Sequence, residues 1–308
     1  MSSIVGMGTA VPSHRLTNAD LEATLDTSDQ WIVERTGIRE RRIAGPEDTT
    51  VTLATAACAE ALKDSKIDPE LVDVLVVATV TPVQKLPATS AFVQDALGLH
   101  CGAFDLVAAC SGFVYSLVMA DALVQSGGAR AALIVGAETL STIVDPADRG
   151  TRILFGDGAA AAVLVPSEPG YGVLGFDLGC DGSAAGILDI APGDEFVHMD
   201  GKEVFRRAVR ACIQSATNAM ERAGVTASDI DVFVPHQANT RIIDAIVERF
   251  GIAEENTIRN IDRYGNTSAA SIPLALAEAE PKDGDLVLMC GFGAGMTWAS
   301  AVMRWGTA

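Results

Sequence analysis

The sequence predicts an α/β protein whose two halves share one pattern of strands and helices. Apolar strand patterns alternate with helix patterns along all 308 residues, and no linker rich in Pro, Gly or Ser and no low-complexity tract interrupts them. Near-continuous apolar strands separated by helices are typical of a mainly parallel sheet that is covered on both faces. Similar segments recur in the second half, which favours a duplicated architecture with a site between the halves.

Strand and helix predictions alternate through the first half. The run LVDVLVVAT is rich in β-branched residues, which favours a strand. Pro at the first position of a helix and Gly just past its end are common boundary residues, and Pro87 and Gly98 fit this pattern. The predicted elements are a strand at 71–79, a helix at 87–97, a strand at 103–107, a helix at 111–125 and a strand at 131–135.

Three segments of the first half have counterparts in the second half. DVLVVATVT at 73–81 is similar to DVFVPHQAN at 231–239, and each follows an Ala-rich helix pattern. The other pairs are 131–138 with 286–293, and 156–167 with 293–305. We therefore expect two similar halves, residues 1–167 and 168–308.

The composition indicates a well-packed, acidic chain. Hydrophobic residues make up 49% and charged residues 20% of it, which predicts a large core and excludes disorder. A net charge of −18 argues against nucleic-acid and membrane partners, and the uncharged stretch 106–120 is shorter than the roughly 20 residues that cross a bilayer. The six cysteines are scattered without metal-binding spacing, and no secretory signal is recognisable. We expect a cytoplasmic protein without a metal site.

Three polar residues lie at predicted element boundaries and could carry chemistry. Cys110 follows a strand and begins an apolar helix, whose dipole is expected to lower the pKa of the thiol. His236 directly follows a strand end, where ligands collect in open α/β sheets, and a histidine exchanges protons near neutral pH. Asn266 follows a Gly and could point its amide into the same cleft. Each residue alone is equally compatible with a structural role: a core cysteine, a loop histidine, an Asx turn.

A Gly-rich loop follows a predicted strand near the end of the sequence. The glycines of CGFGAGMTWAS at 290–300 would let backbone N–H groups converge on an anion. Their spacing matches neither a P-loop nor a GxGxxG that opens a helix, so a nucleotide site of those kinds is not indicated.

Together these motifs resemble the β-ketoacyl-acyl-carrier-protein synthase III family, the initiating condensing enzymes of dissociated fatty-acid synthesis. The resemblance covers nearly the whole chain. Its motifs are, in order, NADLEATLDTSDQWIVERTGIRERR, AFDLVAACSGF, DPADRGT, FGDGAAAAVL, VPHQANTRII, GNTSAAS and FGAGMTW. It implies a thiolase-like fold of two duplicated βαβαβαββ halves in a five-layered αβαβα arrangement, and a homodimer.

The resemblance also implies a chemical role for each candidate. Cys110 would be the nucleophile that takes an acyl group from acyl-CoA. His236 and Asn266 would bind the enolate that forms when malonyl-acyl carrier protein loses CO₂. The backbone N–H groups of Cys110 and Ala294 would form the oxyanion hole. The resemblance implies that this chemistry needs no metal and no redox cofactor. Acyl-CoA takes part as a substrate.

Binding residues are implied in the same way. Trp31 and Arg149 would flank the adenine of CoA, and Thr27 and Arg35 would contact its nucleotide end. Because acyl carrier protein is itself acidic, a local basic patch has to overcome the repulsion from the negative chain. The expected contacts of the carrier protein are Gln237, Ala238, Asn239, Thr240, Arg241, Arg206, Arg207, Arg210 and Arg249.

The acyl pocket is expected to involve Leu86 and Phe292. Leu86 stands where acetyl-preferring members carry Phe, in an apolar segment, 86–93, that reaches across the dimer in relatives. The segment 181–200 beside the cleft is shorter than in many relatives. These two differences from relatives, Leu86 in place of Phe and the shorter segment 181–200, favour short branched or medium straight acyl groups over acetyl alone. Each buried methylene of a longer acyl group contributes about 0.8 kcal/mol. The alternative is that neighbouring side chains fill the space left by the smaller Leu86, in which case acetyl-CoA stays the preferred starter.

Other functions stay open at this point. A thiolase is disfavoured, because Phe292 stands where that enzyme has a second cysteine and Asn266 where it has a histidine. Cys290, two positions before Phe292, is expected to point into the core. The same three polar residues would also serve a polyketide starter enzyme or an acyltransferase to an alcohol or amine. A non-catalytic scaffold is the alternative from a different class.

Overall fold

Two mixed β-sheets form the centre of the computed structural model, which describes residues 1–307. The strands are β1 Ser2–Ala10, β2 Arg15–Thr17, β3 Glu40–Arg42, β4 Val72–Ala78, β5 Gly102–Leu106, β6 Ala131–Thr139, β7 Asp157–Pro166, β8 Gly172–Cys180, β9 Leu188–Asp189, β10 His198–Met199, β11 Val232–Pro235, β12 Leu286–Gly293 and β13 Thr297–Arg304. The α-helices are α1 Asn18–Glu22, α2 Asp29–Thr36, α3 Thr50–Ser65, α4 Thr89–Ala96, α5 Gly112–Gln125, α6 Arg149–Arg152, α7 Gly201–Ala223, α8 Thr240–Phe250, α9 Ile261–Tyr264 and α10 Ser271–Ala279.

The two sheets repeat one strand order. The first sheet is ordered β1-β7-β6-β4-β5, with β4 parallel to β5 and β6, and β7 antiparallel to β6 and β1. The second is ordered β8-β13-β12-β11 with the same directions, and a parallel bridge from Thr257 to Phe233 of β11 takes the place of β5. The duplicated topology is thus present. The strands of the first sheet end at Pro166 and those of the second begin at Gly172, while the boundary at 167/168 stays a prediction.

Helices fill three layers around the sheets. Helix α3 covers the outer face of the first sheet, α5 and α10 lie between the sheets, and α7 and α8 cover the outer face of the second. The outcome is the expected five-layered αβαβα arrangement. Strands β6 and β12 are buried along their whole length, which explains their uninterrupted apolar runs. No helix among the described residues is both long and apolar enough to cross a membrane.

One predicted helix begins later than its sequence signal. Pro87 and Ala88 precede α4, which starts at Thr89. The carboxylate of Asp105 in β5 accepts the backbone N–H groups of Thr89 at 2.7 Å and Ser90 at 2.8 Å. A carboxylate that caps the first N–H groups of a helix defines its start. The cap comes from a strand 15 residues away, so the local pattern around Pro87 did not contain it.

Candidate active site

Two cavities meet at Cys110. The outer cavity, about 130 Å³, is lined by Cys110, His236 and Asn266, so the fold brings together the three polar residues singled out in the sequence. The inner cavity, about 170 Å³, shares Cys110 with it and is lined almost entirely by apolar side chains. A reactive group at Cys110 therefore faces the polar side chains of His236 and Asn266 on one side and an almost entirely apolar cavity on the other.

Cys110 lies in a sharp turn between strand β5 and helix α5. A single 3₁₀ turn, Ala109–Ser111, separates the strand from the helix. Ala109 has a φ of +45°, in the left-handed region that residues other than Gly rarely adopt. The turn places Cys110 at the N-terminal end of α5, as the sequence predicts.

The pKa of the Cys110 thiol departs from the sequence-based expectation. This pKa is raised to about 12, mainly by burial, and the nearby carboxyl of Glu138 acts in the same direction. The hydroxyl of Ser268 and the backbone N–H of Cys110 act in the opposite direction but do not offset the burial. The expectation of a low pKa is therefore wrong for the free protein. Helix position alone does not compensate for a site from which water is excluded.

His236 is held at one ring nitrogen and left free at the other. It follows strand β11, and its backbone N–H donates to the carbonyl of Cys290 at 2.8 Å. Its Nδ1 lies 2.5 Å from the hydroxyl of Ser271, while Nε2 is buried with no hydrogen-bond partner among residues 1–307. Burial lowers the pKa of the imidazole to about 3, so the ring is neutral at pH 7. His236 can therefore offer a hydrogen bond in the outer cavity, and protonation near neutral pH is not available to it.

Asn266 combines a structural contact with a free amide. Two backbone hydrogen bonds, to Leu154 at 2.8 Å and from Gly156 at 3.0 Å, tie it to the loop before β7. Its Oδ1 accepts the N–H of Ser268 at 2.9 Å, which is an Asx turn. Because Oδ1 is engaged in the turn, the NH₂ group of the side chain is the part of Asn266 available to the outer cavity. The structural and the functional interpretation of Asn266 are thus compatible.

The Gly-rich loop approaches Cys110 through its backbone. A Cβ atom at Gly293 would lie only 2.6 Å from the backbone nitrogen of Cys110, so only Gly fits this position. Ala294, the next residue, lines the inner cavity together with Cys110. Cys110 and Ala294, whose backbone N–H groups are the expected oxyanion donors, therefore line the same cavity.

The four expected CoA residues form one cluster at the surface. The guanidinium carbons of Arg35 and Arg149 each lie 4.8 Å from the ring centroid of Trp31. Arg149 also donates to the carbonyl of Asp26, beside Thr27, at 2.7 Å. At 4.8 Å the Arg149 guanidinium contacts the indole directly. A base that stacks on Trp31 between the two groups has to displace the Arg149 side chain.

The expected carrier-protein segment 237–241 is mostly not available to a partner. Gln237 is 1% exposed, donates to the carbonyls of Pro235 and Ile258 and accepts the N–H of Asn260. Its assignment as a carrier-protein contact is wrong, because its amide is fully used inside the protein. Ala238 and Asn239 line the outer cavity, and Thr240 packs on Gly37. Within this segment Arg241 alone is exposed.

The arginines of α7 and α8 differ in how far their charges are neutralised. Arg206 pairs with Glu203 at 2.7 Å, and Arg207 pairs with Asp181 at 3.0 Å. These pairs reduce the positive field that the two arginines can present. In contrast, no carboxylate of residues 1–307 lies within 4.0 Å of the following exposed arginines: Arg210, Arg241 and Arg249.

Neither expected acyl-pocket residue lines the inner cavity of the chain. Leu86 is 84% exposed, and Phe292 lines the outer cavity, where its ring contacts His236 edge-on at 5.3 Å. The walls of the inner cavity come partly from the segment 181–200, which the sequence analysis placed beside the cleft: Leu188, Asp189, Ile190 and Val197. The sequence analysis did not single out the other large wall residues, which are Val80, Leu140, Ile143, Val144 and Phe155. Residues 140–144 follow the end of β6, so the strand-end rule that selected His236 could also have selected them.

The second cysteine near the Gly-rich loop is a core residue. Cys290 is 1% exposed, and its Sγ lies 3.6 Å from the carbonyl oxygen of Cys212. It does not line either cavity at Cys110. This position confirms the expectation that Cys290 points into the core and gives no support to a thiolase site.

Comparison with known proteins places the chain in one family. Models described as 3-oxoacyl-[acyl-carrier-protein] synthase III match residues 104–182 and, for its C-terminal part, 220–305. A β-ketoacyl-[acyl-carrier-protein] synthase III of Symbiobacterium thermophilum is 48% identical over 322 residues, which cover 98% of each chain. The solved synthase III of Thermus thermophilus is 49% identical with a TM-score of 0.96, covering 99% of this chain and 100% of that one.

A further solved structure comes from a different pathway. The priming β-ketosynthase of the R1128 polyketide biosynthetic pathway is 40% identical, with a TM-score of 0.94, over 100% of this chain and 97% of that one. It has the same fold as the synthases of fatty-acid synthesis. The chain belongs to the β-ketoacyl-acyl-carrier-protein synthase III family, the acyl-transferring condensing enzymes that initiate fatty-acid synthesis.

Proposed function

We propose that the protein condenses an acyl-CoA starter with malonyl-acyl carrier protein and uses Cys110, His236 and Asn266 as its catalytic residues. The observation that carries this proposal is the unpartnered Nε2 of His236 beside Asn266 and Cys110 in one cavity. A scaffold has no reason to keep a buried hydrogen-bonding atom without a partner, because desolvation of such an atom is costly. In this proposal residues 1–167 supply the nucleophile, and residues 168–308 supply the histidine and the asparagine.

The first half-reaction transfers the acyl group. The sulfur of Cys110 attacks the thioester carbonyl of acyl-CoA, a bond from sulfur to the acyl carbon forms, and the bond to the CoA sulfur breaks. The backbone N–H groups of Cys110 and Ala294 bind the oxyanion of the tetrahedral intermediate. The apolar inner cavity receives the acyl chain, and each buried methylene contributes about 0.8 kcal/mol.

The second half-reaction forms the carbon–carbon bond. Malonyl-acyl carrier protein loses CO₂, and the electron pair of the broken bond moves onto the thioester oxygen as an enolate. Nε2–H of His236 and the NH₂ group of Asn266 donate to this oxygen, and a neutral imidazole is well suited to that role. The enolate carbon then attacks the acyl group on Cys110, and the thiolate leaves and is reprotonated.

Substrate recognition involves two surface regions in this proposal. The cluster of Trp31, Arg35, Arg149 and Thr27 binds the nucleotide end of CoA, with the base stacked on the indole. Carrier protein contacts the exposed arginines that have no carboxylate partner. They are Arg210, Arg241 and Arg249. No cofactor takes part, and the reaction takes place in the cytoplasm.

We further propose that the protein acts as a homodimer. Strand β5 is an edge strand of the first sheet, and Phe104 within it is 39% exposed. Val107, directly after β5, is 76% exposed, and Leu86, which precedes α4, is 84% exposed. An unpaired edge with large exposed apolar side chains favours pairing with a second copy. A molar mass near that of one 32.0 kDa chain, measured by light scattering at micromolar concentration, would contradict the dimer.

Acylation by radiolabelled acyl-CoA tests the proposed function directly. The label is expected on the tryptic peptide that contains Cys110, and Cys110→Ser should remove it. Cys180→Ser is the matched control, because Cys180 is an exposed thiol outside both cavities. A wild-type protein that takes no label from acetyl-, isobutyryl- or octanoyl-CoA would be a scaffold.

A polyketide starter enzyme is the second candidate, because of the similarity to the R1128 priming enzyme. The loaded protein is offered malonyl groups on a carrier protein of fatty-acid synthesis and on one of a polyketide pathway. Faster condensation with the first carrier supports fatty-acid initiation, and faster condensation with the second supports polyketide priming.

A further inference from the structure

A buried carboxyl group lies close to the nucleophile and has no part in the mechanism above. Glu138, in strand β6, is completely buried. Its Oε2 accepts the hydroxyl groups of Thr81 at 2.6 Å and Thr79 at 3.2 Å, and the backbone N–H of Val80 at 3.1 Å. All these donors are neutral. A buried carboxyl without a cationic partner is costly to ionise, so its presence needs an explanation.

The direction of Glu138 follows from its strand. Side chains two residues apart point to the same face of a strand, so Glu138 faces the same way as Gly136. A Cβ atom at Gly136 would lie 2.2 Å from the carbonyl oxygen of Ala269. Glu138 therefore faces the turn that contains Ser268, the residue before Ala269.

Ser268 lies near both Glu138 and the nucleophile. It lines the inner cavity with Cys110, and its hydroxyl is buried and makes no hydrogen bond with residues 1–307 in the free protein. The hydroxyl nevertheless lies close enough to both the thiol and the carboxyl for weak hydrogen bonding to lower the pKa of each. Such a hydroxyl can accept a proton from one neighbour while it donates its own to the other.

The acid–base properties of the neighbouring groups favour Glu138 as a proton acceptor. The Cys110 thiol, with a pKa raised to about 12, has to lose its proton to react as a thiolate. Burial raises the pKa of Glu138 to about 7, whereas that of His236 is lowered to about 3. Of the two, the carboxylate is the stronger base. Cys110 is the titratable group that faces Glu138, and no charged side chain of residues 1–307 contributes to the pKa of Glu138.

We propose that Glu138 accepts the proton of the Cys110 thiol, through the hydroxyl of Ser268, while Cys110 is acylated. The thiol proton passes to Oγ of Ser268, and the hydroxyl proton passes to Glu138. The bond from sulfur to the acyl carbon forms, and the bond from that carbon to the CoA sulfur breaks. The stored proton returns through Ser268 to the leaving thiolate, which departs as free CoA. This role rests on the proposed acyl transfer.

The total charge of the pocket explains why loss of the Cys110 proton would be coupled to protonation of Glu138. A thiolate and a carboxylate near each other in a dry site repel each other, so the two groups are not ionised at the same time. Transfer from sulfur to carboxyl leaves one negative charge in the pocket at every stage. No charge has to be brought in from water.

Alkylation of Cys110 by iodoacetamide tests the relay, because the rate of reaction with this neutral reagent measures the reactivity of the thiol without acyl-CoA. The rate is followed from pH 5.5 to pH 9 on Cys110 by fragmentation mass spectrometry, which separates it from Cys101 of the same tryptic peptide and from the exposed Cys180. In the wild type the rate should rise through about pH 7, where Glu138 loses its proton and becomes able to accept one. Glu138→Gln should remove this rise and slow alkylation at pH 8 by ~10²-fold or more, as expected for loss of general-base assistance.

A purely structural or electrostatic role predicts a different result. The carboxyl of Glu138 raises the pKa of the thiol, so a neutral glutamine would leave Cys110 equally or more reactive. Alkylation of Glu138→Gln at or above the wild-type rate, with the rise through pH 7 retained, would overturn the relay. Glu138→Asp, which keeps a carboxyl, should retain the rise at a reduced rate.

Ser268→Ala provides an independent test if Glu138→Gln does not fold. It should also lose the rise through pH 7, and an unchanged profile would overturn the relay. Ser116→Ala is the matched control, because Ser116 carries another buried hydroxyl without a partner and lies on α5 outside both cavities. Its profile should equal that of the wild type. A wild type that is alkylated with this profile but not acylated by acyl-CoA would refute the proposed function and leave the relay in place.

Discussion

The hydroxyl of Ser271 determines which nitrogen of His236 carries the ring proton. It lies 2.5 Å from Nδ1 of His236 and also accepts the backbone N–H of Gln237 at 3.3 Å. The hydroxyl still has its own proton to donate, and Nδ1 is the acceptor within reach. We therefore assign the ring proton to Nε2, which faces the outer cavity. In the proposed mechanism, the donor to the enolate oxygen is thus positioned by a residue 35 positions away in the sequence.

Ser271→Ala should slow malonyl decarboxylation about tenfold without affecting acylation. The change removes one hydrogen bond, worth about 1–1.5 kcal/mol, and leaves the ring free to adopt the other tautomer. Separate assays of the two half-reactions check this. Equal slowing of both half-reactions would mean that Ser271 only supports the fold.

His236→Ala and Asn266→Ala should each reduce malonyl decarboxylation by ~10²–10³-fold, because each removes a donor to the developing enolate. Acylation of either variant by labelled acyl-CoA should stay near the wild-type rate. Cys110→Ala has the opposite pattern and abolishes acyl transfer. Condensation by His236→Ala at close to the wild-type rate would contradict the assigned role.

Trp31→Ala should raise the KM for acyl-CoA at least about fivefold, because stacking of a base on an aromatic ring is worth about 1–3 kcal/mol. The KM for malonyl-acyl carrier protein serves as the internal control and should not change. An unchanged affinity for CoA would show that the indole only packs against Arg35 and Arg149.

Arg241→Glu should raise the KM for malonyl-acyl carrier protein several-fold, with a larger effect at low salt, because it reverses an unpaired charge beside the outer cavity. Acyl-CoA loading should be unaffected. Reversal of Arg207 should have a smaller effect, since Asp181 already neutralises it. Lys63→Glu, on the exposed face of α3, is the matched control. Equal effects on both half-reactions would count against this patch.

Leu86→Phe should shift the starter preference toward acetyl-CoA if Leu86 reaches into the inner cavity of the second copy. We expect the wild type to accept isobutyryl- or octanoyl-CoA at least as well as acetyl-CoA. Competition among these three substrates measures the preference. A tenfold or greater advantage for acetyl-CoA in the wild type, or no shift in the variant, would remove Leu86 from the acyl pocket.

Local sequence patterns were sufficient to predict much of the fold and to single out the three polar residues as candidates. Apolar β-branched runs predicted strands β4 and β6 to within a few residues, because a buried strand needs apolar side chains on both faces. Cys110 and His236 were identified by their places at strand ends. These places follow from the order of elements along the chain, so no knowledge of distant contacts was needed.

Electrostatic properties of the site could not be predicted in this way. The pKa values of Cys110 and His236 depend on how completely distant segments exclude water from them. The same holds for Gln237, whose amide is used up by Pro235, Ile258 and Asn260. Exposure cannot be read from a motif, because it results from packing between segments far apart in the sequence.

The sequence by itself predicted the order of strands and helices and the duplication, and it singled out the three polar residues that the fold brings into one cavity. The tertiary structure alone decided that Glu138 and Ser268 lie near Cys110 and that Val80 and Phe155 line the inner cavity beside it. Periodicity and boundary residues are local properties of a chain. Cavity walls and buried hydrogen bonds arise only when segments more than 100 residues apart are packed together, as Glu138 and Ser268 are.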